Sequence, residues 1–482
     1  MPQNQKLPSL ESLKHVHIIG VCGTLMGSFA AFLKRRGMRV TGSDQNVYPP
    51  MSDVLREAGV ELMEGFLPEN LLRAGRPDLV VIGNVVRAVN PEARAAIDGG
   101  LVYSSLPEAM EHLFLPQTRN LVVAGTHGKT TTSSLLAHVL TQAGKDPNYF
   151  IGGVATDLPS SFHVPDISAG HLFVLEGDEY DTAFWDKVPK FNHYLPDDVI
   201  LTSVEYDHAD IYPNFEAVMK AFEGLMSRIR PGGRLIACAD YESVRTLATR
   251  ATVNCLTYGS QPGDGIRFAP GRIVDASGVT TFEVLDQGKS VAKLTIAIPG
   301  HHNVMNALAV WIECRELGLA PEIVRAGLAS FRGVKRRQEV RGEPRGILVI
   351  DDFAHHPTAV RETLGALRSR YPGRRLVAVF EPRSATSRRK VFQKDYAEAF
   401  QKSDAAFIAA PHNQAEIVSD DQFSSQTLVA DIARGGAQGF LMPTVEEGVA
   451  AVAKYARPGD LVAVLSNGGF GGFIPKLLKS LE

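Results

Sequence analysis

The chain has 482 residues, 44% of them hydrophobic and 21% charged, an ordinary balance for a folded protein that excludes disordered and fibrous classes. A formal net charge of -3 predicts no nucleic-acid partner, and no stretch approaches the roughly 18 uncharged apolar residues of a membrane span, since even "PDLVVIGNVVRAVN" is broken by Gly83, Asn84 and Arg87. Cys22, Cys238, Cys255 and Cys314 are scattered without metal-like pairing and the N-terminus lacks a signal-peptide core, so a reducing, cytoplasmic location is expected.

At roughly 100 to 200 residues per domain, this length predicts about three. In the first, residues 1–115, "VHIIG" reads as a buried strand and "MGSFAAFLKRRG" as a helix closed by a glycine, together a βαβ unit of a Rossmann-like α/β domain. Further strands follow at "DLVVIGN" and "LVYSS", and Pro107 and Pro116 mark a linker. The turn "GVCGTLMGS" spaces Gly20, Gly23 and Gly27 differently from a dinucleotide fingerprint. It can still present a helix N-terminus to a pyrophosphate, with Asp44 ending the second strand within reach of a ribose or base. The competing reading is that these glycines serve close packing of strand against helix.

The second domain, residues 116–333, runs through "NLVVAGTHGKTT", "LFVLEGDEYD", "DVILTSVEYDHADIY" and "GRLIACAD", apolar runs each leading into a polar turn, the pattern of a parallel sheet with ligands at its carboxyl edge. Residues 253–298 alternate in short runs and predict a small antiparallel flap. In "GTHGKTT", a strand precedes and a helix follows a loop whose backbone N–H groups can cradle phosphates, with Lys129 reaching the outer phosphates and Thr130 holding Mg²⁺. The loop departs from the usual pattern at Val123, where the first glycine is expected. "LEGDEYD" places Glu176, Asp178, Glu179 and Asp181 just beyond a strand, favouring Mg²⁺ coordination by at least Glu176. "VEYDHAD" sets His208 between Asp207 and Asp210 at another strand tip. His302 and Asn303 open the helix of "GHHNVMNALAV", suited to a nucleotide or a cap.

"FRGVKRRQEV" carries Arg332, Lys335, Arg336 and Arg337 to the next boundary, either as a solvated linker or to send one guanidinium across a cleft to a phosphate. The third domain, residues 334–482, has five strand candidates, "GILVIDDFAHHP", "RRLVAVFEPR", "DAAFIAAP", "QGFLMP" and "DLVAVLSNGGFGG", a second Rossmann-like sheet. Asp351 ends the first of them, where it can accept from a ribose. Arg383, Arg388 and Arg389 form a patch suited to carboxylates of a small acidic substrate.

These segments, in this order over nearly the whole chain, resemble the Mur ligases, ATP-dependent amide-forming ligases of peptidoglycan synthesis; "GTHGKTT", "DHAD", "GHHNVMNALA", "RRQE" and "DDFAHHP" carry the resemblance. It implies ATP and Mg²⁺, with ATP contacts at Gly125, Thr126, Gly128, Lys129, Thr130, Thr131, Asn303, Arg337 and Asp351. It implies metal ligands at Thr130, Glu176 and His208, with Lys129, His208 and Arg337 carrying the catalysis. "GTHGKTTT", "AVNPE" and "DDFAHHP" are closest to the branch that accepts UDP-N-acetylmuramate, which implies that this sugar is held by Gly23, Thr24, Met26, Gly27, Asp44 and His127. "GSDQNVYPPMSDVL", "EGDEYDTAFWDKVPKF", "VEYDHADIY" and "SNGGFGGF" resemble the recycling enzymes of that branch more than its L-alanine-adding ones. The implied third substrate is then the murein tripeptide L-alanyl-γ-D-glutamyl-meso-diaminopimelate, met by Arg383 and Arg388. No obligate protein partner is implied. Some family members use a carbamylated lysine after the DH pair, and Lys220 is not convincingly placed for it.

Overall fold

The computed structural model describes residues 6–48, 51–276, 278–414 and 417–482; the first five residues and the Pro49, Pro50 pair of "GSDQNVYPPMSDVL" lie outside them. Among the described residues the chain forms three sheets, each with helices packed on it. The first contains β1 (His15–Ile19), β2 (Arg39–Asp44), β3 (Glu61–Glu64), β4 (Leu79–Ile82) and β5 (Tyr103–Ser105), all parallel in the order 3-2-1-4-5. Such an order reverses direction at β1, and the ligand crevice of a doubly wound sheet opens there. The short, polar β3, "ELME", carries no apolar run and escaped the sequence pattern.

The second sheet holds β6 (Arg119–Ala124), β7 (Asn148–Phe150), β8 (Phe162–His163), β9 (Leu172–Gly177), β10 (Asp198–Leu201), β11 (Arg234–Cys238), β12 (Asn254–Tyr258), β13 (Phe268–Ala276), β14 (Val279–Asp286) and β15 (Lys289–Ile296). Its order is 15-14-13-12-11-10-6-9-7-8. The expected flap is present in β13 to β15, which pair antiparallel, but β12 continues the parallel ladder and joins them to the same sheet. β6 and β10 lie side by side, their apolar segments Leu121–Ala124 and Val199–Leu201 buried on both faces, so their carboxyl ends bring two loops together.

The third sheet orders β16 (Glu339–Gly342), β17 (Leu348–Asp352), β18 (Leu376–Phe380), β19 (Ala405–Ala409), β20 (Gln438–Met442) and β21 (Leu461–Leu465) as 16-17-21-18-19-20. Its five expected strands are parallel; β16 is an additional antiparallel edge strand, exposed and charged. The first two sheets share one apolar core, in which Phe162 of β8 meets Phe29 and Phe32 of the first helix, Thr24–Arg35, at ring separations of 5.5 and 5.0 Å. The third sheet has cores of its own. It meets the second through polar contacts, including Ala209 N–H to Thr386 Oγ1 at 3.2 Å and Thr358 Oγ1–H to Glu205 at 3.0 Å.

Candidate active site

The loop after β6 is built by two glycines that no other residue replaces without strain. Gly125 has φ 138°, and a Cβ there would collide with Thr202 Oγ1 and lie 2.8 Å from the Ser203 backbone nitrogen. Gly128, at φ 82°, begins the helix Lys129–Gln142. The loop therefore lies directly on the tip of β10, with His127 N–H donating to Ser203 Oγ at 2.9 Å and Thr126 N–H to Ser203 O at 3.0 Å. The Thr126 N–H is thus spent on Ser203, whereas Thr131 stands in the first helical turn, whose backbone N–H groups have no intrahelical acceptor and can face an anion.

Lys129 folds back over the loop. Its Nζ donates to Gly125 O at 2.7 Å and pairs with Glu179 at 2.8 Å. Burial disfavours its charge, but Glu179 and Asp178 outweigh that and raise its pKa. Beside it, Thr130 Oγ1 donates to Glu176 Oε1 at 2.7 Å, and Glu176 Oε2 accepts from Gly152 N–H at 2.6 Å. A hydroxyl and a carboxylate oxygen held together are hard donors of the kind Mg²⁺ takes, so Thr130 and Glu176 fit that ion.

His208 fits it less directly. The ring donates to Glu179 Oε1 at 3.1 Å, and although burial opposes its charge, Asp207 and Glu179 push its pKa up to about 9. A protonated imidazole has no lone pair for a cation. His208 also has φ 54°, and strained backbone of this kind is held only where the surrounding structure imposes it. Lys220 is exposed on the helix Phe215–Met226.

Arg337 crosses from the third unit. Its Nη2 lies 3.4 Å from Thr130 Oγ1, its guanidinium covers the Phe353 ring at 4.8 Å, and burial lowers its pKa. The flanking residues Arg336 and Gln338 both have positive φ, 60° and 52°, a strained bend that aims the guanidinium back at the phosphate loop. Asn303 caps nothing in its helix; its Nδ2 donates to Pro299 O at 2.7 Å, and its Oδ1 accepts from Asn306 at 3.2 Å. Asp351 accepts from Arg341 at 3.0 Å, so its carboxylate is already partnered within the third unit.

In the first unit, Gly23 and Thr24 are exposed at the start of their helix, while Met26 and Gly27 turn into the core. A Cβ on Gly27 would collide with the Met51 thioether. Asp44 is engaged too, accepting from Cys22 N–H at 2.9 Å and so fixing the turn. Arg383 stands 3.5 Å from Glu381, and Arg388 Nη1 donates to the carbonyls of His412 and Asn413 at 3.1 and 2.9 Å.

The sequence pattern singled out Glu179 only as one of four acids, yet it joins Lys129 to His208. It gave no role to Glu205, His356 or Asp352. Glu205 lies 2.9 Å from His127 Nε2, and His356 of the third unit packs on the His127 ring at 4.7 Å. Asp352 accepts from the N–H groups of Gln338 and Ala354, both at 2.8 Å, and so shapes the bend that carries Arg337. The doubled acid in "DDFAHHP" was the available signal for Asp352.

Three family descriptions match the chain in succession: "Mur ligase family, catalytic domain" over residues 15–117, "Mur ligase middle domain" over 123–313 and "Mur ligase, glutamate ligase domain" over 336–468. The chain is 39% identical over 470 residues, 97% of its length and 98% of the relative's, to the UDP-N-acetylmuramate–L-alanyl-γ-D-glutamyl-meso-2,6-diaminoheptandioate ligase of Escherichia coli K12. It is 36% identical over 488 residues, 100% of this chain and 99% of the other, to the UDP-N-acetylmuramate–L-alanine ligase of Kineococcus radiotolerans. Among solved structures, a murein peptide ligase from Psychrobacter arcticus matches with a TM-score of 0.71 at 32% identity, covering 97% of this chain and 98% of that one.

Proposed function

The chain belongs to the Mur ligase family, and we propose that it is the peptidoglycan-recycling member that joins the tripeptide L-alanyl-γ-D-glutamyl-meso-diaminopimelate to the lactyl carboxylate of UDP-N-acetylmuramate at the expense of ATP. We take residues 1–115 as the part that holds the UDP-sugar, 116–333 as the ATP-binding part and 334–482 as the part that receives the peptide. The observation that carries the ligase step is the convergence of Lys129, Thr130, Glu176 and Arg337, from two units, on one loop. The choice of tripeptide over alanine follows the higher identity to the E. coli enzyme, 39% against 36% for the Kineococcus L-alanine ligase, both over nearly the full chain.

The chemistry follows from the groups present. A carboxylate is a poor electrophile, so its oxygen first attacks the γ-phosphate of ATP. The charge that gathers on the transferring group is met by the ammonium of Lys129 and the guanidinium of Arg337, both held in place and half-buried. Mg²⁺, held by Thr130 and Glu176, would neutralise further phosphate charge. The bend at Arg336 to Gln338 carries the Arg337 guanidinium over the loop, and closure there must exclude water, which otherwise competes for the acyl phosphate. The peptide amine then displaces phosphate. Gly23, Thr24 and Asp44 are assigned to the UDP-sugar, His127 to its reacting end, and Asn303 and Asp351 to the nucleoside of ATP. The site of action is the cytoplasm, in keeping with the absence, among the described residues, of any helix long and apolar enough to cross a membrane.

Labelling the lactyl carboxylate of UDP-N-acetylmuramate with ¹⁸O tests the order of events. Transfer of label to the released phosphate is expected. Phosphate free of label, with amide formed, would overturn the acyl-phosphate route.

A further inference from the structure

Between the second and third units lies a cavity of about 540 Å³, walled by Tyr206, Phe215, Tyr241 and Phe392 and reached by Glu205 and His356. His356 is 4% exposed and caps the helix Pro357–Arg370: its Nδ1 accepts from Thr358 N–H at 3.3 Å. The proton of the neutral ring is therefore on Nε2, and among the described residues Nε2 has no hydrogen-bond partner. Burial, then the neighbouring His127, lower the pKa of the ring to about 3, so it stays neutral. A buried N–H left without an acceptor costs about 1–3 kcal/mol, so this one calls for an acceptor from outside the chain.

Glu205 supplies the opposite polarity. Its Oε1 accepts from Thr358 Oγ1–H, and its Oε2 stands 2.9 Å from His127 Nε2 without the alignment of a hydrogen bond. One nitrogen or oxygen of each of His127, Glu205 and His356 falls within 4.8 Å of the others. Two imidazoles and a carboxylate are also a set that zinc uses, but zinc needs a lone pair where the cap of His356 places a proton. The pair suits instead a ligand that presents a cationic donor and a neutral or anionic acceptor side by side. The N-terminus of a peptide does so, its ammonium and first carbonyl oxygen being three bonds apart, each able to reach a partner at about 2.8 Å.

We propose that Glu205 and His356 dock the N-terminal residue of the incoming peptide, the carboxylate taking its α-ammonium and the imidazole Nε2–H donating to the carbonyl oxygen of the same residue. Thr358 fixes the other oxygen of Glu205, and the His127 ring stands beside both groups. This inference rests on the tripeptide reading above and gives the N-terminal residue of that substrate its subsite.

Steady-state kinetics of Glu205→Gln and His356→Ala, with ATP, UDP-N-acetylmuramate and tripeptide each varied in turn, test it. The KM for tripeptide should rise at least tenfold in both variants while the other two move less than twofold. If His356→Ala does not fold, Glu205→Gln, which keeps size and shape, decides alone. Equal rises in all three constants would mean a structural role and overturn the proposal. So would stoichiometric Zn²⁺ binding to the wild type, by calorimetry, that Glu205→Gln abolishes. A wild-type protein unable to ligate tripeptide sinks the parent reading instead, whereas tripeptide ligation with unchanged variant constants sinks this inference alone.

Discussion

The two glycine-bearing turns of this chain, "GVCGTLMGS" after β1 and "GTHGKTT" after β6, occupy the same place in two similar sheets and have different neighbours. The glycines of the second sit at positive φ, Gly125 against the Ser203 backbone just past β10 and Gly128 against the Asn306 side chain, and Lys129, Glu176, Glu179, His208 and Arg337 surround them. Around the first, Gly27 packs on Met51 and Asp44 is spent on Cys22 N–H. The surroundings of a glycine-rich strand-to-helix turn thus depend on what stands opposite it, and glycine spacing alone does not reveal them.

Mutation of each turn sharpens that contrast. The largest effect belongs to Lys129→Ala, which removes the half-buried ammonium from the transferring phosphate; kcat should fall by about 10²–10³ or more, measured as ADP release. Unaltered turnover would break the assignment. Removal of divalent cations with EDTA should likewise abolish turnover but leave the melting temperature nearly unchanged, because Thr130 and Glu176 bond to each other without an ion.

Smaller effects distinguish the glycines. Gly125→Ala forces an L residue to φ 138° against Ser203 and Thr202, costing on the order of 1–3 kcal/mol and raising the KM for ATP. Gly27→Ala overpacks Met51, a flexible side chain, and should lower stability by about 1–3 kcal/mol with the KM for ATP unchanged. Equal changes in ATP affinity from both substitutions would erase the contrast. Smallest is Asp44→Asn, which weakens one turn-fixing bond worth about 1 kcal/mol, so the KM for UDP-N-acetylmuramate should rise roughly fivefold while that for ATP stays put.

Much of the fold was legible because its parallel strands are continuous apolar runs ending in polar turns. The phosphate loop was legible because Lys129 and Thr130 keep fixed spacing to Gly128. What stayed hidden depends on distance along the chain. β3 and β16 are short and polar, and strand order is set by packing between segments. Glu205 meets Thr358 from 153 residues away, and Lys129 meets Glu179 across 50. Neither pair leaves a local pattern. His356 was visible in "DDFAHHP", but its unpartnered Nε2 emerges only once the third sheet closes on the second.

The central claim is the identity of the amine. A single incubation of the protein with ATP, UDP-N-acetylmuramate and equimolar L-alanine and L-alanyl-γ-D-glutamyl-meso-diaminopimelate, resolved by mass spectrometry, tests it directly. The account predicts UDP-N-acetylmuramoyl-tripeptide as the dominant product; UDP-N-acetylmuramoyl-L-alanine in its place would contradict it.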